Sequence, residues 1–225
     1  MLKLYYTTAS LTACQLPALM EQLSHARREQ ISARRDADAI ASAAASCLLR
    51  YALCDAVDRA LADAPIVWKG KPHFADPAVP VRFNLSHTVS REKGCLTAVV
   101  LLSDEGEVGV DTETDRPLRN RHALMQRLFS PSECAYADLP PDGHDRFFDL
   151  WCAKEAYIKW TGEGFSRPMS SVSVDVRQKS AESDGKRCDL RWISVDETVI
   201  CAAAEQIPEE LSITNVPITA LCANQ

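Results

Sequence analysis

The stretch Trp151-Cys-Ala-Lys-Glu-Ala-Tyr-Ile-Lys159 decides how the rest of the chain is interpreted. It is predicted to be helical, and its spacing then places Glu155 and Lys159 on one helical face. A pair with this spacing is most often a surface ion pair that contributes little to stability. Phe148 and Trp151 fall on the same side, however, which indicates a face that is buried or lines a cleft. A charge pair on such a face predicts a bound ligand or metal ion.

Two more carboxylates lie upstream, in Gly109-Val-Asp-Thr-Glu113. On a strand, Asp111 and Glu113 point to the same side, where Gly109 contributes no side chain. A solvated strand end is the ordinary interpretation of two such acids. Mg²⁺, however, prefers oxygen ligands and leaves room for substrate phosphate. A helix packed across this strand would bring Glu155 to both acids, so the sequence predicts a site for a divalent metal and a phosphate.

Two further positions suit a phosphate ligand. Ser86-His87 follows a predicted strand at residues 81–85, and a hydroxyl and an imidazole beside backbone N–H groups can bind phosphate. A loop serine next to a hydrogen-bonded histidine is the simpler interpretation. The two cannot form a nucleophile–base dyad, because neighbours on an extended chain point apart. Lys71, between Gly70 and Pro72, is either solvated or held near a ligand by its restricted loop.

Composition limits the class of protein. The chain has 225 residues, 46% hydrophobic and 25% charged, as in a soluble globular protein with one domain or two small ones sharing an interface. A net charge of −6 argues against non-specific nucleic-acid binding. The nine cysteines are odd in number and lack C-x-x-C spacing, which indicates a reducing compartment without disulfides or thiolate metal sites. With no signal-peptide pattern and no bilayer-length apolar run, we expect a cytoplasmic protein without membrane contacts.

Periodicity predicts an α+β protein. The expected helices are residues 15–30, a long amphipathic one over 36–63 that Pro65 ends, and 144–161, ended by Gly162. The expected strands are residues 2–7, 81–85 and 172–176, a hairpin of 95–102 and 107–113 around Ser103-Asp-Glu-Gly106, and a second hairpin of 190–195 and 199–204. Trp68-Lys-Gly and Trp160-Thr-Gly follow the two long helices, which suggests a coarse internal repeat.

The chain resembles the 4′-phosphopantetheinyl transferases of the Sfp type. The likeness covers roughly residues 24–176. It runs in order through Gly70-Lys-Pro72, Phe83-Asn-Leu-Ser-His87, Val108-Gly-Val-Asp-Thr-Glu113, Phe129-Ser-Pro-Ser-Glu133, Trp151-Cys-Ala-Lys-Glu-Ala-Tyr-Ile-Lys159 and Gly162-Glu-Gly-Phe165.

The resemblance implies a fold and a reaction. The fold would be a pseudo-dimer of two similar halves, residues 1–103 and 104–225, each a long helix on a small antiparallel sheet, with coenzyme A between them. This internal symmetry predicts a monomer. The reaction would transfer 4′-phosphopantetheine from coenzyme A to a serine of an apo acyl or peptidyl carrier protein and release 3′,5′-ADP.

The resemblance also implies roles for the residues singled out above. Asp111, Glu113 and Glu155 would hold Mg²⁺. Lys159 would contact the pyrophosphate as a catalytic residue, and Glu155, directly or through a bound water, would be the general base. Coenzyme A would be contacted at its 3′-phosphate by Ser86 and His87, and near its adenine by Lys71.

Two positions depart from the family's pattern. Thr112 stands between the two acids where the family usually has a bulky apolar residue, but it points away from the site. In the first long helix, Ala39-Ile-Ala-Ser-Ala43 has small residues where the family usually carries an arginine or another large polar residue. Ser42 could still reach a phosphate. The missing charge would come from one of four arginines, at positions 27, 28, 34 and 35.

Other interpretations of the sequence remain open. A metal-dependent glycosyltransferase acting on nucleotide sugars would use two acids of this kind, but it leaves the helix 151–159 unexplained. A non-catalytic module that binds coenzyme A or a carrier is favoured only by the small residues at 39–43. Carriers of this kind are acidic, so we also expect a positive rim for docking, formed by the arginines at 116, 119, 121 and 127.

Overall fold

The computed structural model describes residues 1–12, 16–141 and 144–222, and only the backbone of Phe165. Cys14 therefore lies outside the described residues. The helices are α1 (Leu16–Glu21), α2 (His25–Ser32), α3 (Asp36–Ala56), α4 (Arg59–Ala62), α5 (Arg121–Leu128), α6 (Pro131–Ala137), α7 (Arg146–Thr161) and α8 (Ile218–Cys222), with 3₁₀ turns at Gly164–Ser166 and Met169–Ser171. The strands are β1 (Leu2–Ser10), β2 (Ile66–Val67), β3 (His73–Phe74), β4 (Arg82–Ser90), β5 (Cys95–Ser103), β6 (Val108–Thr114), β7 (Ser173–Asp175), β8 (Ser180–Ser183), β9 (Lys186–Val195), β10 (Thr198–Ala204) and β11 (Ser212–Asn215).

Two sheets form the frame of the molecule. The first has the order β11-β1-β5-β4 and the second the order β6-β10-β9-β8-β7. Neighbouring strands run antiparallel except β11, which returns from the C-terminal part of the chain and pairs parallel to β1. The α+β class predicted from the sequence is confirmed, and so is the terminal hairpin, as β9 and β10.

The hairpin predicted around residues 103–106 is wrong. Its two segments are strands, but β5 pairs on one edge with β1 and on the other with β4, so neither edge is left for β6. The chain instead crosses to the second sheet, where β6 pairs with β10. The turn between β5 and β6 is therefore the passage from one sheet to the other.

Helix α3 is the core helix of the first half. It packs on β4 and β5, and small side chains let it approach closely: Ala41, Ala43, Ala44 and Ala45 are all fully buried. Among the described residues it alone is long and apolar enough to cross a membrane, yet 67% of its most apolar 18-residue window is buried inside this protein. It is shorter than predicted, because Val57 is extended and a separate short helix follows.

Helix α7 is the core helix of the second half and packs on β6 and β10. The side chain of Asp145 caps its first turn by accepting a hydrogen bond from the Phe147 N–H, and Gly162 ends it in a left-handed conformation with φ of 73°. Asp145 also donates its backbone N–H to Asp115, which fixes the start of α7 to the end of β6.

The remaining predicted elements differ from the structure in length. The helix predicted over 15–30 is two helices, because the side chain of Ser24 caps a new helix at His25. The strand predicted over 172–176 is reduced to the three residues of β7. The strand predicted over 81–85 continues to Ser90, so Ser86 and His87 lie within β4 and do not follow it as a loop.

Candidate functional site

The site lies where the two sheets meet. Strands β4 and β6 lie side by side but belong to different sheets, and side chains of β4 make the connection. Asn84 accepts a hydrogen bond from the Val110 N–H at 2.9 Å, and the Ser86 hydroxyl donates to Asp111 Oδ1 at 2.8 Å. The Thr88 hydroxyl lies 3.4 Å from Glu113 Oε2. Alternate residues on β4 share a face, so this single strand face aligns both acids.

Lys159 joins this junction from α7. Its Nζ donates to Asp111 Oδ1 at 2.6 Å, to Ser86 Oγ at 3.0 Å and to the Val110 carbonyl at 3.0 Å. The ammonium thus has an acceptor for each of its three protons. The simplest interpretation of Glu155 and Lys159, a surface ion pair with each other, is not what the structure shows.

Glu113 is paired with an arginine from the loop after β6. Arg116 Nη1 lies 2.6 Å from Glu113 Oε2, and the guanidinium sits 5.1 Å from the centre of the Phe148 ring. The stacking on an aromatic ring and the ion pair hold Arg116 at the mouth of the site.

Glu155 is the carboxylate without a partner. Among the described residues it has no hydrogen bond and no ion pair. Burial, followed by the negative charge of Asp111, raises the pKa of Glu155; Lys159 lowers it, and Glu113 raises it further. The three acids are therefore close enough to repel one another, which is the electrostatic condition of a cation site.

The donor set fits Mg²⁺ in its chemistry. Three carboxylates are hard oxygen ligands, and two of them are already neutralised by a side-chain cation, Lys159 on Asp111 and Arg116 on Glu113. As these side chains stand, the described part of the chain contains no group of three or more His, Cys, Asp or Glu placed to hold a metal ion. The magnesium site therefore stays a prediction, with Glu155 as the acid left to complete it.

His87 points to the other face of β4, towards α2 and α3. Burial and then the positive charges of Arg34, Lys159 and Arg27 lower its pKa to about 4. The imidazole is accordingly neutral near pH 7. Arg34 is exposed, and its guanidinium has no hydrogen-bond or ion-pair partner among the described residues.

Arg27 fills the space beside the small residues of α3. It reaches across from α2 and donates to Ser42 Oγ at 3.0 Å and to Ser46 Oγ at 2.9 Å, and its guanidinium stacks 4.1 Å from the Trp68 ring. Ser42 is thus bound by an arginine of the same chain. Burial first, and the charge of Arg34 second, lower the pKa of Arg27 to about 10.

Two cavities flank the junction. One, of about 510 Å³, is lined by residues from both sides of the site, including Asp38, His87, Glu113 and Arg116. The other, of about 520 Å³, is lined by Lys71, Phe74, Arg82 and Gly162 among others. Lys71 Nζ there donates to Glu107 at 2.6 Å and to the Val108 carbonyl at 3.1 Å, so it is tied to the start of β6.

Residues 107–204 match a family model described as the 4′-phosphopantetheinyl transferase superfamily. This segment is therefore similar to that superfamily. It contains β6 and α7, and hence Asp111, Glu113, Glu155 and Lys159. The resemblance seen in the sequence motifs is confirmed for this part of the chain.

Curated relatives carry the same description. A 4′-phosphopantetheinyl transferase of Bacillus subtilis is 34% identical over 147 residues, which are 60% of this chain and 60% of the relative. The transferase AcpT of Escherichia coli is 38% identical over 129 residues, 56% of this chain and 60% of the relative. The transferase Sfp of Bacillus subtilis is 28% identical over 158 residues, 63% and 66% of the two chains. The chain thus matches about 60% of the length of the first two relatives.

Sequence reasoning missed several residues of this candidate site. Asn84 and Thr88 were detectable in principle, because they share a strand face with Ser86 once β4 is extended. Arg116 and Arg121 were expected on a docking rim, but Arg116 is paired with Glu113. Arg121 is held by Asp138 and Asp145 and by the Ala137 carbonyl. Of the four rim arginines, only Arg119 and Arg127 have no side-chain hydrogen bond or ion pair within the described residues.

Proposed function

We propose that this protein transfers the 4′-phosphopantetheine group of coenzyme A to a serine of an apo acyl or peptidyl carrier protein, releasing 3′,5′-ADP. One observation carries the proposal. Ser86, Asp111 and Lys159 are bonded to one another where the two sheets meet, beside Glu113 and the unpartnered Glu155. All of these except Ser86 lie in the segment that matches the superfamily model.

The proposed chemistry is a phosphoryl transfer. The carrier serine oxygen attacks the β-phosphorus of coenzyme A and forms a new P–O bond. The bond from that phosphorus to the bridging oxygen breaks, and 3′,5′-ADP leaves with the electron pair. The serine proton would pass to Glu155, directly or through a bound water.

Charge neutralisation is the second requirement of this reaction. Lys159 is already fixed at the junction and would face the pyrophosphate. Mg²⁺ held by Asp111, Glu113 and Glu155 would supply further positive charge to the transferring phosphoryl group. Arg116 would then exchange its contact with Glu113 for an anionic group of a substrate.

The two halves are proposed to be repeats of one unit, with the division near residue 103. Their likeness is a long helix packed on an antiparallel pair, α3 on β4 and β5, and α7 on β6 and β10. Coenzyme A would lie between them, along the cavities on either side of the β4–β6 junction. Its adenine end would lie near Lys71 and its 3′-phosphate near His87.

The decisive experiment is transfer to a panel of apo-carriers. The protein is incubated with Mg²⁺, coenzyme A and each carrier, and the intact mass of the carrier is measured together with 3′,5′-ADP. We expect phosphopantetheine addition and an equal amount of 3′,5′-ADP. Binding of coenzyme A without either product would instead indicate a non-catalytic module, and binding of sugar nucleotides would indicate a glycosyltransferase.

The 3′-phosphate is predicted to be bound by Arg34 together with the neutral His87. Removing the guanidinium by Arg34→Ala should raise KM for coenzyme A about 10-fold, since a charge-assisted hydrogen bond of this kind contributes about 1.5 kcal/mol. With 3′-dephospho-coenzyme A, which lacks that phosphate, the same variant should behave as the unmodified protein. Arg35→Ala, which removes a neighbouring exposed arginine, is the matched control. An equal loss with both substrates would place the 3′-phosphate elsewhere.

A further inference from the structure

A buried ion pair lies behind the reacting face of α7. Lys154 and Glu133 are the two partners, with Nζ to Oε2 at 2.9 Å and side chains exposed by only 1% and 2%. Lys154 Nζ also donates to the Val172 carbonyl at 2.5 Å and lies 5.6 Å from the centre of the Phe129 ring. Burying two charges is costly unless the pairing is close and every remaining polar atom is satisfied.

Glu133 meets that condition through the backbone. Its Oε2 accepts from the Ser130 N–H at 2.7 Å, which completes the capping box of α6. Its Oε1 accepts from the Val174 N–H at 2.8 Å, in β7. One carboxylate therefore ties together the start of α6, the edge strand β7 and, through Lys154, the middle of α7.

Helix geometry connects this pair to the site. Successive residues on a helix are rotated by about 100°, so Lys154 and the adjacent Glu155 leave α7 in different directions. Lys154 and Tyr157, three residues apart, share one face, and Tyr157 is also anchored there, because its hydroxyl bonds to the Ser183 and Lys186 carbonyls. Glu155 and Lys159, four residues apart, share the face that meets Asp111.

We propose that the Glu133–Lys154 pair is a positioning device, which sets the rotation of α7 so that Glu155 and Lys159 face Asp111. This inference rests on the proposed function only for its catalytic consequence. Neither side chain touches the reacting atoms. Their effect is transmitted through the rigid helix, and a small misplacement of reacting groups is expected to slow the reaction strongly.

The test uses a double variant, Glu133→Gln with Lys154→Met. Removal of one charge alone leaves the other buried and unpaired, whereas removal of both leaves no buried charge. The single amide oxygen of glutamine keeps one of the two backbone hydrogen bonds of Glu133. Removal of the exposed Arg59–Asp63 pair, also at 2.9 Å, by Arg59→Met with Asp63→Asn is the matched control. Transfer kinetics are measured well below the melting temperature of each protein, and amide hydrogen exchange of residues 155–161 is compared with that of α3.

We expect the Glu133/Lys154 double variant to lower kcat by about 10- to 100-fold while KM for coenzyme A changes less than about twofold. Exchange should accelerate in residues 155–161 and not in α3, and the control pair should change neither quantity. An unchanged kcat, or equal acceleration in both helices, would overturn the proposal. If the unmodified protein produces no 3′,5′-ADP, the proposed function fails instead. The comparison of amide hydrogen exchange between residues 155–161 and α3 in the double variant then decides by itself whether the pair positions α7.

Discussion

Glu155→Ala should abolish transfer while the protein stays folded. Glu155 combines two proposed roles, proton acceptor for the carrier serine and ligand for Mg²⁺, and general-base catalysis alone contributes about 10²- to 10⁴-fold. We therefore expect transfer, measured as 3′,5′-ADP release at saturating coenzyme A, to fall by about 10³-fold or more.

The fold should not depend on Glu155. The side chain has no hydrogen bond or ion pair within the described residues, and its charge is repelled by Asp111 and Glu113. Its removal should leave the melting temperature unchanged or raise it slightly. Glu182→Ala, which removes an exposed carboxylate in β8, is the matched control and should retain full transfer. Near-normal transfer by the Glu155 variant would contradict both proposed roles.

Residues that share a local pattern could be placed from the sequence. Alternation on β6 correctly put Asp111 and Glu113 on one side, because strand side chains alternate whatever the strand pairs with. Helical spacing likewise put Glu155 and Lys159 on one face of α7. Both deductions need only the geometry of a single element.

Pairings between distant elements could not be deduced in this way. The predicted hairpin of β5 and β6 was wrong although both strands exist. β4, which directly precedes β5 in the chain, pairs with one edge of β5, and β1, far away in sequence, pairs with the other. The sequence signature of the capping box at Ser130–Glu133 is likewise local, but nothing in it indicates that the same carboxylate also binds Lys154.

The charge missing from the first long helix illustrates the same limit. The sequence has small residues at 39–43, where the resemblance implies an arginine or another large polar residue. In the structure Arg27, from the preceding helix, lies beside this part of α3 and donates to the Ser42 and Ser46 hydroxyls. The sequence offered four arginines for the missing charge. Only the packing of α2 on α3 shows that Arg27 is taken up by these two serines, while Arg34 stays exposed for the proposed contact with the 3′-phosphate.

Gly109 is the residue of the site whose substitution should most disturb the packing of α7 on β6. A Cβ added there would lie 2.5 Å from the Trp160 nitrogen and 3.0 Å from the Ala156 carbonyl carbon, and closer still to the Ala156 oxygen. These are backbone atoms of α7, so no flexible side chain can move aside. The absence of a side chain at this position is what lets α7 approach β6 closely enough for Lys159 to reach Asp111.

Gly109→Ala should therefore reduce both stability and transfer. Overpacking against backbone is expected to lower the free energy of unfolding by about 3 kcal/mol, measured by denaturant titration. Because the helix must move away from β6, transfer should also fall in the fraction that remains folded. Gly106→Ala is the matched control, since a Cβ there has no neighbour within 4 Å. If the two alanine variants were equally stable and equally active, close contact between α7 and β6 would not be what aligns Lys159 with Asp111.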